Sequence, residues 1–267
     1  MNRIDATFEQ LRERGEAALI PFITAGDPDL ETTKALVLEL ERRGADLVEL
    51  GVPFSDPLAD GVTIQRASQR ALQAGASLAK ILRLAGEIRR ASEIPLVLMS
   101  YYNPILRFGL ERFAEEAKGR GVDGLIVPDL PPEEAEELCR SCEKVGVDLI
   151  FLLAPTSSAA RIERVISASR GYIYYVSLKG VTGARDRLAE GIQAAVSRIK
   201  AKTEKPIAVG FGIGRPEQVR EVARFADGVI VGSAIVAKVE EHLGRADLVE
   251  QVGDFVAPLK GALKESE

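Results

Sequence analysis

Eight short apolar runs, rich in Val, Ile and Leu, recur along the chain at 17–23, 46–52, 95–101, 123–129, 148–154, 172–178, 206–212 and 227–233. Each is apolar almost without interruption. A strand of that kind must be covered on both faces, which is the condition of a parallel sheet flanked by helices. Parallel neighbours cannot be joined by tight turns, so each strand needs a crossover segment long enough to bring the chain back. The intervening stretches supply it: 30–44 (LETTKALVLELERRG), 110–121 and 131–146 are amphipathic and charge-rich, and most such segments end in Gly, which favours a helix stop. Gly44-Ala45-Asp46, Gly121-Val122-Asp123 and Gly146-Val147-Asp148 repeat that stop, followed at once by a strand. The segment 131–146 opens on Pro-Pro-Glu-Glu, a helix start by proline placement and dipole sign. Eight such units in 267 residues predict an α/β fold, a single (β/α)8 TIM barrel over 1–267, with an N-terminal helix at 4–15 capping its bottom. A dinucleotide-binding Rossmann fold is the competitor, through Gly210-Phe211-Gly212-Ile213-Gly214. That turn belongs after the first strand of its unit, whereas here it follows the seventh and the next unit begins almost at once.

Charge and reactive side chains narrow the chemistry. The net charge of −5 argues against a general nucleic-acid binder, without excluding a local anion site. No basic start leads into an apolar run, and no apolar stretch nears the roughly 20 residues of a membrane span, so a cytosolic protein is expected. The one histidine, His242, lies at a helix end, and Cys139 and Cys142 sit mid-helix with no second pair to complete a zinc site. An enzyme of this composition working near neutral pH has to draw its acid–base groups from carboxylates raised by burial.

Within such a barrel, function sits at the C-terminal strand ends and the loops beyond them. The stretch ELGVPFSDPLADG (49–61) places Glu49 late in the second strand. Alternation turns Leu47, Glu49 and Gly51 inward and leaves Val48, Leu50 and Val52 for the helices. An inward Glu in an apolar mouth, with no basic residue expected at its level, has a raised pKa and can donate a proton. Asp60 ranks second; Asp56 and Asp129 read as turn or cap residues, Asp129 as the cap of the helix opening at Pro131. The glycines at 210–214, and Gly232-Ser233 opening a helix, stand after strands seven and eight, where barrels commonly hold phosphate on backbone amides. LKGVTGAR (178–185) adds a third glycine-rich piece, expected as a loop over the ligand.

The segments PFITAGDP (21–28), ELGVPFSDPLADG, YYNPI (101–105), VPDLPPEE (127–134), GVTGAR (180–185), GFGI (210–213) and GSAIV (232–236) resemble, in order and spacing, the tryptophan synthase α subunit family. The resemblance runs over essentially the whole chain, and its most specific block is PFSDP-x-ADG. It implies a lyase that splits indole-3-glycerol phosphate into indole and glyceraldehyde 3-phosphate, with no metal or organic cofactor. Position by position, it implies Glu49 as general acid/base and Asp60 as the second catalytic carboxylate. By the same match, Gly183, Phe211, Gly212, Gly232 and Ser233 surround the phosphate, and Phe22 and Tyr174 the indole. It also implies a pyridoxal-phosphate β subunit in an α2β2 complex, faced by the loops 53–60 and 178–190 with Pro53 and Asp56 at the interface. The chain departs from the family at Val62-Thr63, where Pro-x is usual, and at Leu178-Lys179. Two other readings stand beside it: a free-standing indole-producing lyase, with the same chemistry and no partner, and, from another class, an allosteric phosphate-ester-binding subunit with little turnover of its own.

Overall fold

A computed structural model describes residues 2–176, 185–210 and 212–264. Its strands are β1 (Ala18–Thr24), β2 (Val48–Gly51), β3 (Leu96–Met99), β4 (Gly124–Ile126), β5 (Asp148–Ile150), β6 (Leu152–Leu153), β7 (Ile173–Val176), β8 (Ile207–Gly210) and β9 (Gly228–Val231). All are parallel, in the order β5-β4-β3-β2-β1-β9-β8-β7-β6. The two ends of that order, β5 and β6, are halves of one strand interrupted at Phe151. The eight expected staves therefore close on the fifth, which pairs with β4 through one half and with β7 through the other. Apart from β1, each paired segment is shorter than the apolar run that contains it, because the run continues into the loop after the ladder stops.

The helices are α1 (Arg3–Arg14), α2 (Leu30–Arg42), α3 (Val62–Gln73), α4 (Leu78–Arg89), α5 (Tyr102–Phe108), α6 (Leu110–Gly119), α7 (Glu136–Val145), α8 (Ala159–Ala168), α9 (Arg185–Lys200), α10 (Pro216–Ala223), α11 (Ser233–Glu241) and α12 (Leu248–Lys264). Among the described residues no helix is long and apolar enough to cross a membrane. Gly44, Gly121 and Gly146 all take the left-handed backbone expected of a helix stop. Each following Asp stands at or within two residues of the start of a strand. Asp46, Asp123 and Asp227 accept the backbone N–H of Leu19, Leu96 and Ile207 on the adjacent strand. Each also meets a cation, respectively Lys260, Arg89 and Lys200.

Strand alternation divides the interior in two. Val48, Leu50 and Val52 face the helices, packing in a core with Leu36, Val37 and Leu40 of α2. Leu47, Val97, Ile126, Ile150 and Tyr172 fill the barrel. Its floor is α1, whose Asn2 and Asp5 form a reciprocal cap and whose Ile4, Phe8 and Leu11 share one face. Those three side chains are buried against the barrel interior, each worth about 1.5–3 kcal/mol.

Three local expectations change. The Pro131-Pro132-Glu133-Glu134 segment is a turn, closed by Glu134 N–H on the Pro131 carbonyl at 3.0 Å, and α7 starts at Glu136. A residue that precedes proline is pushed out of helical backbone, so Pro131 cannot lead a helix into Pro132. Asp129 then has no helix there to cap and instead accepts Tyr102 N–H at 2.9 Å, at the start of α5. Finally, the loop expected over 178–190 is helical from Arg185, where α9 begins; 178–184 lie outside the described residues.

Candidate active site

Glu49 belongs to the inward row of β2, flanked in register by Phe22 of β1 and Val97 of β3. It is fully buried. Its Oε1 accepts a hydrogen bond from the Tyr172 hydroxyl at 2.7 Å, while Oε2 has no partner among the described residues. No cation is among the groups acting on it; burial drives its pKa from an ordinary 4.5 to about 8, opposed only by the Tyr172 bond. Near neutral pH this carboxyl is an acid. The inward row was legible in the sequence, but the hydroxyl partner was not drawn from it. Tyr172 lies two residues before Tyr174, so the same alternation puts both rings inside.

Above Glu49 the barrel widens into a cavity of about 280 Å3. Two glycines make room for its aromatic walls. A Cβ at Gly51 would stand 2.5 Å from Cζ of Phe22, and one at Gly210 would stand 2.6 Å from the Tyr174 hydroxyl. Any side chain at either place would evict a ring. Phe22, Tyr174, Met99, Ile64 and Ile230 give the cavity an apolar half suited to a flat aromatic group. Met99, Ile64 and Ile230 were missed in the sequence, Met99 and Ile230 because they sit within continuous apolar strand runs.

Asp60 enters the same cavity from the loop before α3. Its backbone N–H closes a turn on Pro57 at 3.1 Å, and its carbonyl accepts from Gln65 Nε2 at 2.9 Å. Burial raises its pKa, offset by a hydrogen bond with Tyr101, whose hydroxyl also accepts Ala59 N–H at 2.8 Å. The Tyr101 ring lies 5.2 Å from that of Phe54, so one residue steadies the loop at both ends. Both carboxylates raise the Tyr174 hydroxyl well above its usual range, on top of a larger effect of burial. Tyr174 thus lies within electrostatic reach of Glu49 and Asp60 together.

Beyond Asp60 the lining turns to backbone. Gly212, Gly232 and Ser233 border the cavity. Ser233 opens α11, whose Gly232 cap has no side chain to satisfy the first N–H groups and whose first turn holds no acidic residue. Gly212 takes a left-handed backbone with φ of +40°, and a Cβ on Gly214 would meet Ala234 at 2.9 Å. The close approach of that loop to the start of α11 therefore depends on glycine. Bare amides and a helix dipole at one end of a cavity favour an anion of phosphate size.

Phe22, Asp60, Tyr174, Gly212, Gly232 and Ser233 are thus gathered around one space, and Glu49 pairs in register with the cavity-lining Phe22. Gly183 and Phe211 lie outside the described residues. Pro53 is buried within the chain's own packing, whereas Asp56 is exposed and accepts from its neighbour Ser55 at 2.6 Å. Larger clefts exist elsewhere, beside Phe8 and Lys205 at the barrel floor and between α7 and α8. They are lined by ion-paired groups such as Lys200 with Asp227 and Arg164 with Glu133. Among the described residues no cluster of three His, Cys, Asp or Glu side chains comes together to hold a metal.

Comparison with known proteins agrees with this geometry. The family model described as tryptophan synthase alpha chain matches residues 8–264. Tryptophan synthase alpha chains of Citrifermentans bemidjiense and of Thermoanaerobacter sp. are 56% and 46% identical to this chain. The first alignment covers 100% of both chains, the second 98% of this chain and 100% of the relative. Among solved structures, tryptophan synthase subunit alpha from Legionella pneumophila superposes with a TM-score of 0.92 at 40% identity, covering 100% of each chain. A Mycobacterium tuberculosis tryptophan synthase structure gives 0.90 at 37%, covering 99% of each chain. The chain belongs to the tryptophan synthase alpha chain family.

Proposed function

We propose that this chain performs the lyase reaction of its family, cleaving indole-3-glycerol phosphate, with Glu49 as the moving acid and base and Asp60 as the fixed charge. The observation that carries the assignment is a fully buried carboxyl with no cation, one free oxygen and a pKa near 8, set under an apolar cavity. Glu49 gives its proton to indole C3, which turns the ring into an iminium and so into a leaving group. The resulting carboxylate takes the proton of the adjacent glycerol hydroxyl. Those O–H electrons become the aldehyde C=O, and the carbon–carbon pair returns to the ring and neutralises the iminium. Glu49 ends protonated, ready for another turn. Asp60, on the cavity wall, stabilises the positive charge at the indole N–H. The α11 amides, with Gly212, hold the phosphate.

Replacement of Glu49 by Gln tests this. The amide keeps shape and hydrogen bonding but cannot cycle a proton. Turnover falls by about 100- to 10,000-fold, the usual worth of a positioned acid–base group. Binding of a phosphate ester such as glycerol phosphate is retained. Near-normal turnover by Glu49→Gln would falsify the assignment.

A β subunit is the family's partner, and we place it over the 54–60 loop in an α2β2 complex. Support comes from the exposed surface: Asp56 faces solvent and Leu58 is 95% exposed, immediately before Asp60. Pro53 is buried among the chain's own residues where that loop begins, and Asp56 is the exposed one of the two positions placed at the interface.

A further inference from the structure

Two helices lead away from the cavity side by side, and a cluster of charges ties them together. α3 starts just after Asp60 and Gly61; α11 starts at Ser233. Arg66 of α3 grips the Glu240 carboxylate of α11 with Nε at 2.8 Å and Nη2 at 2.7 Å. Arg70, one turn on, reaches the same carboxylate with Nη1 at 2.9 Å. Its other edge lies bidentate on Asp27, Nε at 2.8 Å and Nη2 at 2.9 Å. Asp27 is almost wholly buried and sits in the loop after β1, the strand that carries Phe22. One guanidinium thus joins the β1 loop, the helix behind Asp60 and the helix behind the anion site.

The rest of the attachment is thin. Among the described residues, an apolar cluster of Phe22, Ala67 and Val236 lies between α3, α11 and β1, apart from the two larger cores, with Ile64 and Met99 against it. The leading end of α3 has no capping side-chain bond and no acidic residue in its first turn. From Val62 to Arg70 is about 12 Å of helix, and from Ser233 to Glu240 about 10 Å, at 1.5 Å per residue. The charge cluster therefore fixes both helices at matched depths behind the cavity.

We propose that Arg70 is a positioning residue for the lyase reaction: by forking between Asp27 and Glu240 it locks α3 to α11, so that phosphate seated at Ser233 sets the place of Asp60. A planar fork can hold two carboxylates in fixed directions, which the point charge of a lysine cannot. This inference rests on the reading of Gly232 and Ser233 as the phosphate site.

The test uses the full chain and inorganic phosphate. Three quantities are read for wild type, Arg70→Gln, Arg70→Lys and Glu240→Gln: kcat and KM, the Kd for phosphate, and hydrogen exchange of the 54–61 amides with and without saturating phosphate. In wild type, phosphate slows exchange of that loop. In Arg70→Gln, kcat falls about 10- to 100-fold, the range that follows from a catalytic group displaced by about 1 Å. The phosphate Kd stays within about threefold, as expected when α11 itself is intact, and phosphate no longer slows the loop. Arg70→Lys recovers only part of each effect. Glu240→Gln leaves the Arg70–Asp27 pair whole and decides the matter on the same readouts if Arg70→Gln does not fold. Folded variants with normal kcat, or with phosphate still slowing the loop, overturn the inference. Wild type that binds phosphate without any response at 54–61 overturns it too, leaving the phosphate site standing; wild type that binds no phosphate removes the site and the inference together.

Discussion

Glu49 carries a proton that an exposed glutamate would have lost, and this has a measurable consequence for stability. In the unfolded chain its pKa returns to the ordinary 4.5, against about 8 in the folded barrel. Between those values the folded state holds one more proton than the unfolded state. The stability contributed by the neutral group is complete below about pH 4.5 and drains away as pH rises to about 8, at up to about 1.4 kcal/mol per unit. Glu49→Gln removes that dependence, so the variant gains on wild type steadily from pH 5 to 8 and the difference levels off above. Asp148, which burial under the α1 end of the barrel raises to about 6, titrates in both proteins and cancels in the comparison. Paired denaturant melts across this range check the trend; parallel curves would mean an ordinary, exposed carboxyl. The same proton should show in kinetics as a fall of kcat/KM above about pH 8. Alternation along DLVELGV was enough to turn Glu49 inward, and burial with no nearby cation to offset it was enough to raise its pKa. The Tyr172 hydroxyl escaped notice because a tyrosine in a strand reads as apolar filling until register brings its oxygen to a named partner.

At the scale of elements, the anion end of the cavity is made by where strands stop and helices start. β8 ends at Gly210 and β9 at Val231, and each hands on to glycine before its helix. That placement was legible because glycine is the residue that lets backbone amides face a ligand, and because its position after strands seven and eight is fixed by counting. Ser233 is the sensitive point, the first residue of α11 and part of the cavity wall. Ser233→Glu puts a carboxylate where phosphate oxygens are to lie; it should raise KM for indole-3-glycerol phosphate by well over about tenfold, the effect of about 1.4 kcal/mol of repulsion, with kcat less affected. An unchanged KM would move the phosphate elsewhere. Elements governed by a competing local rule were less legible. The prolines at 131 and 132 favour a helix start singly but exclude it in succession, which delays α7 and frees Asp129 for α5. The break at Phe151 depends on how the barrel closes, and no run of apolar residues records that.

Across the whole molecule the two ends of the barrel are built for opposite purposes. The floor is closed: α1 plugs it, and the aspartates just before β9, β4 and β2 (Asp227, Asp123 and Asp46) are tied to adjacent strands and to cations. The mouth is open, with glycine at its edges and Leu58 standing 95% exposed on the loop that delivers Asp60. An isolated exposed leucine is unremarkable on a protein surface. This one lies beside exposed Asp56, two residues from the cavity-lining Asp60, on a loop anchored through Tyr101 at Ala59. A partner that covered Leu58 would bury apolar surface and remove freedom from Asp60 in the same act, so association and turnover become linked. Mixing with the β subunit is therefore expected to raise turnover of indole-3-glycerol phosphate. Leu58→Ser should leave the isolated chain's rate nearly unchanged while weakening association by about 1–2 kcal/mol, the apolar area lost. Titration of β subunit into each protein, followed by indole release, separates the possibilities. A free-standing lyase shows full activity alone and no rise on mixing; a subunit that works in a pair shows a rise whose midpoint moves to higher partner concentration in Leu58→Ser. A rise with the same midpoint in both proteins would place the partner on a different face of the barrel.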